Sequence, residues 1–381
     1  MSDDTMPSRW KGLEIESEGT GISRPLSEQV NLLGAMLGEA IRRRYGDEAF
    51  ERVETLRTLC KAAESGSDPD GRTRAAAIVA ERSLDELRAL LHAFASFFHL
   101  VNQAEKQEIV RINRERSRPG PRPESIREVI GGLHEAGVSF EELEELIEGL
   151  DIQPTFTAHP TEARPPAVLE KQGALSDLLL ELSRTDPTPE ERERILDGID
   201  ARIALLLATE DVRRERPTVQ DEIEQGLHFL LGSVWDVVPA IHDDLVRAVE
   251  EVYGERIDPG PFLRYRSWIG SDRDGNPNVT AEVTQATLER QRRRVLGRYG
   301  RELGDLSRAL SVSDRHVHVP DELLDELHRD AAGSGRGGEV LAERYAHEPF
   351  RLKIALMTDR VGRLHHGKAE VEYDADRFRE D

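Results

Sequence analysis

Two short segments of this 381-residue chain combine turn-forming residues with side chains that can transfer protons or bind anions. The first, PTFTAHPTEAR, runs from Pro154 to Arg164 around His159. The second, RSWIGSDRDGNPNVT, runs from Arg266 to Thr280, about a hundred residues later. Imidazole is suited to proton transfer near neutral pH, and a guanidinium flanked by carboxylates can be held facing an anion. Both segments are therefore predicted to carry chemistry.

The elements around the two segments follow the same order. Residues 152–157 and 262–269 are rich in β-branched and aromatic side chains, which predicts a strand in each place. Each predicted strand is followed by a polar loop and then by a helical pattern. This order is typical of a (β/α)8 barrel, whose loops carry chemistry at the carboxyl ends of the strands. The predicted fold is mainly α, with a helical amino-terminal region that leads into the first two strands of an incomplete TIM-type barrel.

Each segment also has a structural explanation that involves no chemistry. His159 could cap a helix or lie in a core. Asp272 and Asp274 could cap the helix that is predicted to begin near Thr280, since Asp-Gly-Asn-Pro is a turn sequence. In the functional alternative, Arg273 is held between the two aspartates and faces an anion. The residues alone leave these alternatives open.

The two segments resemble the first two signatures of the phosphoenolpyruvate carboxylase family, in the family's order and separation. The signatures are Thr-Ala-His-Pro-Thr-Glu and Gly-x-Asp-Arg-Asp-Gly-Asn-Pro-Asn-Val-Thr, and the stretches 209–218 and 232–239 between them also resemble the family. The resemblance implies that phosphoenolpyruvate and bicarbonate are converted to oxaloacetate and phosphate, with Mg²⁺ or Mn²⁺ and without biotin. It implies a homo-oligomer, which is a tetramer in the family. It also implies a catalytic residue, His159, and a supporting set formed by Thr161, Glu162, Arg164, Asp272, Arg273 and Asp274.

The resemblance covers less than half of a full-length family member. The family's metal-binding carboxylates, mobile glycine-rich loop and further anion-binding arginines belong to later strands, so no metal ligand is expected in this chain. We therefore interpret the chain as an amino-terminal fragment that is inactive alone. The competing hypothesis is a truncated or degenerate paralogue that only oligomerises or is inert. A third, a phosphohistidine carrier, would need a mobile domain around His159.

The chain departs from the family pattern just after the first signature. Pro165 and Pro166 stand where the family has two adjacent arginines, and Arg164 lies one position early. A shift of one residue turns a side chain by about 100° around a helix, so Arg164 is a poor substitute. Prolines are accepted in the first helical turn, because its amides lack partners. The predicted consequence is therefore electrostatic, because two positive charges are missing beside a site that binds dianions. Ser271 in place of a glycine is a milder departure.

Composition indicates the environment of the protein. The formal net charge is −22, with 74 acidic and 52 basic residues, and only six of the basic residues are lysines. Many carboxylates with few lysines are typical of proteins from concentrated salt, whereas thermophilic proteins gain lysine. A high-GC genome would explain the arginines but not the acids. The charge argues against a nucleic-acid partner.

The remaining expectations concern organisation. No apolar run approaches 18 residues and no leader pattern opens the chain, so the protein is predicted to be cytoplasmic without a membrane segment. Cys60 is predicted to be a small buried hydrophobe. We expect a flexible tail over 1–22, a helical region over 23–150 and the first part of the barrel, with inserted helices, over 151–381. Residues 330–338 are predicted to be a flexible connector, and 370–381 an acidic ending without an apolar closing element. Helices are predicted at about 27–44, 47–64, 72–82, 84–116, 124–136, 140–149, 165–184, 189–215, 219–232, 234–253, 280–311, 321–331, 339–346 and 348–366.

Overall fold

The computed structural model describes residues 23–157, 165–184, 187–209, 217–274, 276–367 and 373–381. Within these ranges the chain is mainly helical and forms two compact units. Unit 1 is drawn from Met1–Ile152, His159–Asp221 and Ile241–Leu263, and unit 2 from Gln153–Ala158, Glu222–Ala240 and Arg264–Asp381. The predicted tail over 1–22 lies outside the described residues.

Ten helices precede the second strand in the described ranges, and most match their predicted bounds within a few residues. They are α1 (Arg24–Tyr45), α2 (Asp47–Glu64), α3 (Gly71–Ala80), α4 (Leu84–Arg116), α5 (Ile126–Glu135), α6 (Phe140–Glu148), α7 (Pro166–Arg184), α8 (Pro189–Leu207), α9 (Val219–Phe229) and α10 (Trp235–Tyr253). A short π-helical segment, Leu230–Val234, joins α9 to α10. The predicted helix continues to residue 215, whereas α8 ends at Leu207 and residues 208 and 209 are not helical; residues 210–215 lie outside the described residues.

Capping boxes fix the starts of three of these helices. At α4, Ser83 Oγ accepts the Glu86 N–H while the Glu86 carboxylate accepts the Ser83 N–H at 2.9 Å. The same reciprocal pair begins α6 at Ser139 and α8 at Thr188. Each box satisfies amides that the first turn of a helix leaves without partners. In the sequence, the spacing from Ser83 to Glu86 predicts a capping box and Ser139 with Glu142 predicts a cap, and both predictions are confirmed.

The core of unit 1 is apolar. One cluster of buried residues joins α1, α2, α3, α4, α7 and α8, and its centre includes Met36, Ala104, Leu179, Leu196 and Ile199, all inaccessible to solvent. A second cluster in unit 1 packs α5 and α6 against the carboxyl-terminal part of α10. One prediction fails here: Cys60, on α2, is exposed rather than buried. Cys60 lies on the same side of α2 as the buried Val53 and Leu56, as its spacing predicts, but this side is not covered near the end of the helix.

Unit 2 contains two short strands and the last five helices. The strands are β1 (Thr155–Phe156) and β2 (Arg266–Ser267), and the helices are α11 (Ala281–Ala309), α12 (Asp321–Gly333), α13 (Gly335–Arg344), α14 (Pro349–His365) and α15 (Ala375–Glu380). Two apolar clusters hold the helices together: one joins α11 to α14 and α15, and the other joins α12 and α13 to α14.

Two predictions about unit 2 are wrong. The expected connector over 330–338 is helical apart from a break at Ser334, and its glycines allow close packing. A Cβ on Gly338 would lie 2.0 Å from the carbonyl oxygen of Ala331. The ending also carries an apolar closing element, because Tyr373 and Phe378 pack into the α11–α14 cluster.

Candidate active site

The candidate site begins with the pairing of β1 and β2. The strands are parallel, with Thr155 opposite Arg266 and Phe156 opposite Ser267. The Arg266 N–H donates to the Pro154 carbonyl at 2.8 Å, and the Trp268 N–H donates to the Phe156 carbonyl at 2.9 Å. Both strands therefore end at the same edge. Each is shorter than predicted, since within the described residues they pair only with each other and a strand needs a ladder of partners.

Aromatic side chains border the end of β2. The rings of Phe156 and Tyr265 lie 5.9 Å apart, centroid to centroid, across the strand pair. Trp268 follows directly after β2 and is 56% exposed, which is unusual for the largest apolar side chain. The Arg266 side chain turns back along the sheet, where its Nε donates to Gln153 Oε1 at 3.0 Å. The exposed indole of Trp268 therefore lies at the start of the loop that follows β2.

The turn from β2 into this loop requires a glycine at position 270. Gly270 has φ +75°, and a Cβ there would lie 2.4 Å from Thr287 Oγ1 and 3.1 Å from Ile223 Cδ1. Thr287 cannot easily give way, because it is buried in α11 and its hydroxyl donates to the Val283 carbonyl at 2.7 Å. The preceding Ile269 is buried as well. Close packing against Thr287 and Ile223 thus fixes the start of the loop.

Three predicted site residues follow Gly270 in this loop, and all three are exposed: Asp272, Arg273 and Asp274. The Asp272 N–H donates to the Trp268 carbonyl at 2.9 Å, and Asp272 Oδ1 accepts the Asp274 N–H at 3.0 Å. The Asp272 carboxylate therefore shapes the turn. The alternative in which the aspartates cap α11 is wrong, because Thr280 is the N-cap and its hydroxyl accepts the Val283 N–H.

Arg273 is the cation of the loop. Among the described residues, no carboxylate lies within 4.0 Å of its guanidinium, although Glu282 is near enough to interact with its charge. The Thr280 side chain and the Glu282 backbone N–H hold the pKa of the exposed Glu282 carboxyl below its usual range, and Arg273 adds to this effect. The expectation that Arg273 is held between Asp272 and Asp274 is therefore wrong, because the Asp272 carboxylate accepts the Asp274 N–H instead. The exposed guanidinium is open to a ligand anion.

The other predicted residues, namely His159, Thr161, Glu162 and Arg164, lie outside the described residues. Just beyond them, the Pro165 carbonyl accepts the Val168 N–H at 2.9 Å, and α7 begins at Pro166. The two prolines are therefore compatible with the helix start, as the sequence predicted.

No described residues fit a divalent cation. Within the described ranges, the acidic side chains that converge closely enough are Glu326, Asp330 and Asp381. Lys353 Nζ lies 2.6 Å from Glu326 Oε1 and 2.7 Å from Asp381 Oδ1, and Arg360 lies 2.8 Å from both aspartates. These cations already neutralise the cluster, so we assign no metal to it. In the described part of the chain, every helix is too short or too polar to cross a lipid bilayer.

Sequence reasoning missed the residues that position the loop. Gly270 belongs to the second motif, but the close packing that leaves no room for a side chain there involves Thr287 and Ile223, which are distant in sequence. A glycine directly after a predicted strand and before a polar turn is the signal that could have identified it.

Comparison with known proteins identifies the family. The family model for phosphoenolpyruvate carboxylase matches residues 26–378. The chain is 50% identical to phosphoenolpyruvate carboxylase of Rhodothermus marinus over 382 aligned positions, which cover 97% of this chain and 40% of that protein. The enzyme of Thermus sp. (strain 71) is 40% identical over 87% of this chain, and that of Roseiflexus castenholzii 35% over 89%. The chain spans 36–40% of the length of these relatives. With matches over nearly its whole length, the chain belongs to the phosphoenolpyruvate carboxylase family.

Proposed function

We propose that this chain is the amino-terminal part of a phosphoenolpyruvate carboxylase that forms oxaloacetate and phosphate from phosphoenolpyruvate and bicarbonate. The observation that carries the proposal is the parallel register of β1 and β2, together with the motif that follows each strand. The Arg273 loop follows β2, and His159 comes three residues after β1 along the chain. The segments that follow two paired parallel strands begin at the same edge of the sheet. In this proposal, β1 and β2 are the first two strands of a (β/α)8 barrel.

His159 is the proposed proton-transfer residue. The reaction passes through carboxyphosphate, which loses a proton and releases carbon dioxide beside the enolate of pyruvate. An imidazole nitrogen accepts that proton, and Thr161 or Glu162 orients the ring. Arg273 contributes positive charge next to a substrate that is anionic at every stage. A divalent cation supplies charge neutralisation when it is bound, and its ligands belong to the part of the family that this chain does not span.

The environment and assembly of the protein are also proposals. The acidic, lysine-poor composition supports a cytoplasmic protein that works in concentrated salt. Family membership supports a homo-oligomer and the absence of biotin. The second candidate function, an inert or purely oligomerising paralogue, is favoured by one observation: Pro165 and Pro166 replace two arginines of the family pattern.

A chimera distinguishes the two candidates. Residues 1–381 are joined to the carboxyl-terminal part of the Rhodothermus marinus relative, and oxaloacetate is measured by coupled reduction. We expect turnover that His159→Asn abolishes, with bicarbonate-dependent phosphate release retained. His316→Asn, an exposed histidine in unit 2, is the matched control and should leave turnover unchanged.

A chimera that folds and assembles like the relative but forms no oxaloacetate would favour the inert paralogue. Residues 1–381 alone should form none. Turnover by the isolated chain that depends on His159 would contradict our assignment of the remaining machinery to the absent part.

A further inference from the structure

The longest helix of the described residues, α4, carries apolar side chains on the face that turns away from the core. Positions 84, 88, 91, 95, 98, 102, 105 and 109, which are spaced alternately by four and three residues, lie on this face and form what we call the α4 seam. Its apolar members are Leu84, Leu91, Phe98 and Ile109, and its other members are Arg88, Ala95, Asn102 and Glu105. At about 3.6 residues per turn these positions span about 100° of the helix surface. The buried Ala93, Leu100 and Ala104 lie on the opposite face.

The apolar members of the seam are aligned and exposed. Between 52% and 74% of each side chain is accessible to solvent. The Phe98 ring lies edge to face on Phe97, with centroids 6.0 Å apart, and Phe97 packs against the large apolar cluster of unit 1. Phe98 is therefore held in place on the surface. At roughly 200 Å² for each whole side chain, the four present roughly 500 Å² of apolar surface, a patch size that marks interaction sites.

The seam is electrically neutral, unlike the chain as a whole. It has one basic and one acidic member, Arg88 and Glu105, and the members between them are uncharged, whereas the chain has a formal net charge of −22. Arg88 pairs with Asp85 at 3.2 Å, but both side chains are largely exposed, so this pair is weak and can be exchanged. The repulsion that keeps two such acidic chains apart is therefore smallest at this face.

The charged and terminal members of the seam complement each other in an antiparallel pair of α4 helices. A two-fold axis between positions 96 and 97 places Arg88 of one copy opposite Glu105 of the other, and Glu105 opposite Arg88. The same axis places Leu84 opposite Ile109 at both ends. Opposite charges in these positions fix the register and direction of a helix pair.

The central members complement each other in size. Next to the axis, Ala95 of one copy lies opposite Phe98 of the other, so the smallest member faces the largest. Such an arrangement lets a large side chain insert between those of the facing helix. Leu91 lies opposite Asn102, and a single polar residue in a helix seam specifies register at a cost in stability.

The extent of the seam fits an interface between two copies. It runs over 25 residues, or about 38 Å at about 1.5 Å per residue. Its apolar side chains, with the aliphatic parts of Arg88 and Glu105, approach the roughly 800 Å² that each partner of a stable dimer buries. The other candidate to cover the seam is the part of the family that this chain does not span. A segment of different sequence would not require the seam to be complementary to itself.

We propose that a second copy of this chain packs on the α4 seam, antiparallel and with two-fold symmetry. The proposal assigns a surface to the homo-oligomer proposed above. It does not depend on the proposed catalytic function, because association is measured without turnover.

The proposal is tested by sedimentation equilibrium of residues 1–381 between about 1 and 100 µM, at about 0.15 M KCl, where screening acts beyond about 8 Å and contact pairs persist. We expect a dimer with a dissociation constant of about 10 µM or tighter. Phe98→Asp should weaken association at least hundredfold, because the change occurs twice beside the axis. The matched control is Leu205→Asp, which changes an exposed apolar side chain of α8 outside the seam and should leave the dimer unchanged.

A charge exchange tests the direction of the pair. Arg88→Glu alone brings like charges together at two places and should weaken the dimer at least tenfold. Arg88→Glu with Glu105→Arg restores opposite charges only in the antiparallel register, and should bring the dissociation constant back to within about threefold of the original. Circular dichroism checks that each variant keeps its helix content.

Three results would overturn the proposal. A chain that stays monomeric at 100 µM would leave the seam to the part of the family that this chain does not span. A dimer that survives Phe98→Asp, or that Leu205→Asp weakens equally, would lie on another surface or be unspecific. Failure of the double exchange to restore a dimer that Arg88→Glu has weakened would exclude the antiparallel register.

Discussion

The helices of unit 1 and those of unit 2 are held together by different means. Among the described residues, the large cluster of unit 1 contains 24 buried apolar residues, whereas the two clusters that join α11–α15 in unit 2 contain five and four. Unit 2 adds a network of charged side chains around Asp381, whose carboxylate is fully buried. Lys353 and Arg360 reach it at 2.7 and 2.8 Å, and the Tyr373 hydroxyl donates to it at 2.7 Å.

This difference shows what each unit depends on. Burial alone would raise the pKa of the Asp381 carboxyl, but hydrogen bonds from Lys353 and Tyr373 outweigh it and hold the pKa below its usual range. Burial likewise opposes the charge of Lys353, and hydrogen bonds to Asp381 and Glu326 raise its pKa above the usual value. Each ion in the network is stable only because of its partners. Unit 2 should therefore be destabilised most by the loss of a buried charge. Unit 1 should be destabilised most by the loss of buried apolar atoms.

The largest effect is expected from Lys353→Met. Removing the ammonium leaves the buried Asp381 and its neighbours with one cation fewer, which should lower the free energy of unfolding of unit 2 by about 3–5 kcal/mol. In a Trp10→Phe background the two remaining tryptophans, Trp235 and Trp268, both lie in unit 2. Urea unfolding followed by their fluorescence therefore reports on this unit.

The control for this substitution is Arg363→Gln on the same helix. Arg363 pairs with Asp359 near the surface at 2.8 Å, and such pairs contribute less than about 1 kcal/mol. Equal losses in the two variants would mean that the buried network contributes no more than a surface pair, and the comparison between the units would fail.

The next effect is expected in unit 1 from Leu196→Ala. Leu196 is inaccessible to solvent, and the cavity left in the apolar cluster should cost about 3 kcal/mol. Leu205→Ala, on the same helix, removes the same atoms from a side chain that is 47% exposed, and should cost less than half as much. Circular dichroism should show the loss, while the tryptophan fluorescence transition of unit 2 stays near its original urea concentration. Parallel shifts of both transitions would show that the units unfold as one.

The sequence predicted the local features of this fold well. The capping boxes at Ser83 and Ser139 are recognisable because both partners lie within four residues, and the apolar periodicity of α4 identifies the helix that follows Ser83. The positions of β1 and β2 were also predicted, although the lengths were not. Strand length depends on how many partners are present, which is a property of the assembled sheet.

What the sequence did not predict depends on distant contacts. The glycines of 330–338 predict a flexible connector. The close packing of Gly338 against the Ala331 carbonyl, which requires a glycine within a helix, leaves no pattern in the sequence. The ending is predicted to be acidic and without an apolar closing element, yet the Asp381 carboxylate is buried beside two cations of α14. For the site, the motif identified Asp272 and Arg273, but not the anchor formed by Gly270 and Thr287. The candidate site residues of this loop are neighbours in the sequence, whereas Thr287, which packs against Gly270, is distant in sequence.

Gly270→Ala sharpens this point with a smaller effect. Position 270 combines positive φ with close contact to Thr287, so the substitution should cost about 2–3 kcal/mol. Gly254 has nearly the same φ, +76°, but no atom within 4 Å of an added Cβ, so Gly254→Ala should cost only about 1 kcal/mol. Thermal unfolding of both variants separates the destabilisation caused by the Thr287 contact from that caused by the positive φ. If Gly254→Ala costs as much, the Thr287 contact does not anchor the loop.

The smallest effect is expected from added KCl and concerns both units. With a formal net charge of −22, repulsion between surface carboxylates opposes the compact state, and screening shortens its range from about 10 Å at 0.1 M salt to about 3 Å at 1 M. Molar KCl should therefore raise the melting temperature of each unit by about 2–4 °C, which corresponds to about 1 kcal/mol per unit. The buried network is screened much less, so Lys353→Met should show the same rise from a lower starting point.

Neutralising three exposed acids of α6, with Glu141→Gln, Glu145→Gln and Glu148→Gln, should reduce the rise, because it removes part of the repulsion. A melting temperature that is flat or falls with KCl would contradict the halophilic interpretation of the composition. A rise confined to the tryptophan transition would instead locate the salt effect in unit 2 and assign it to its ion pairs.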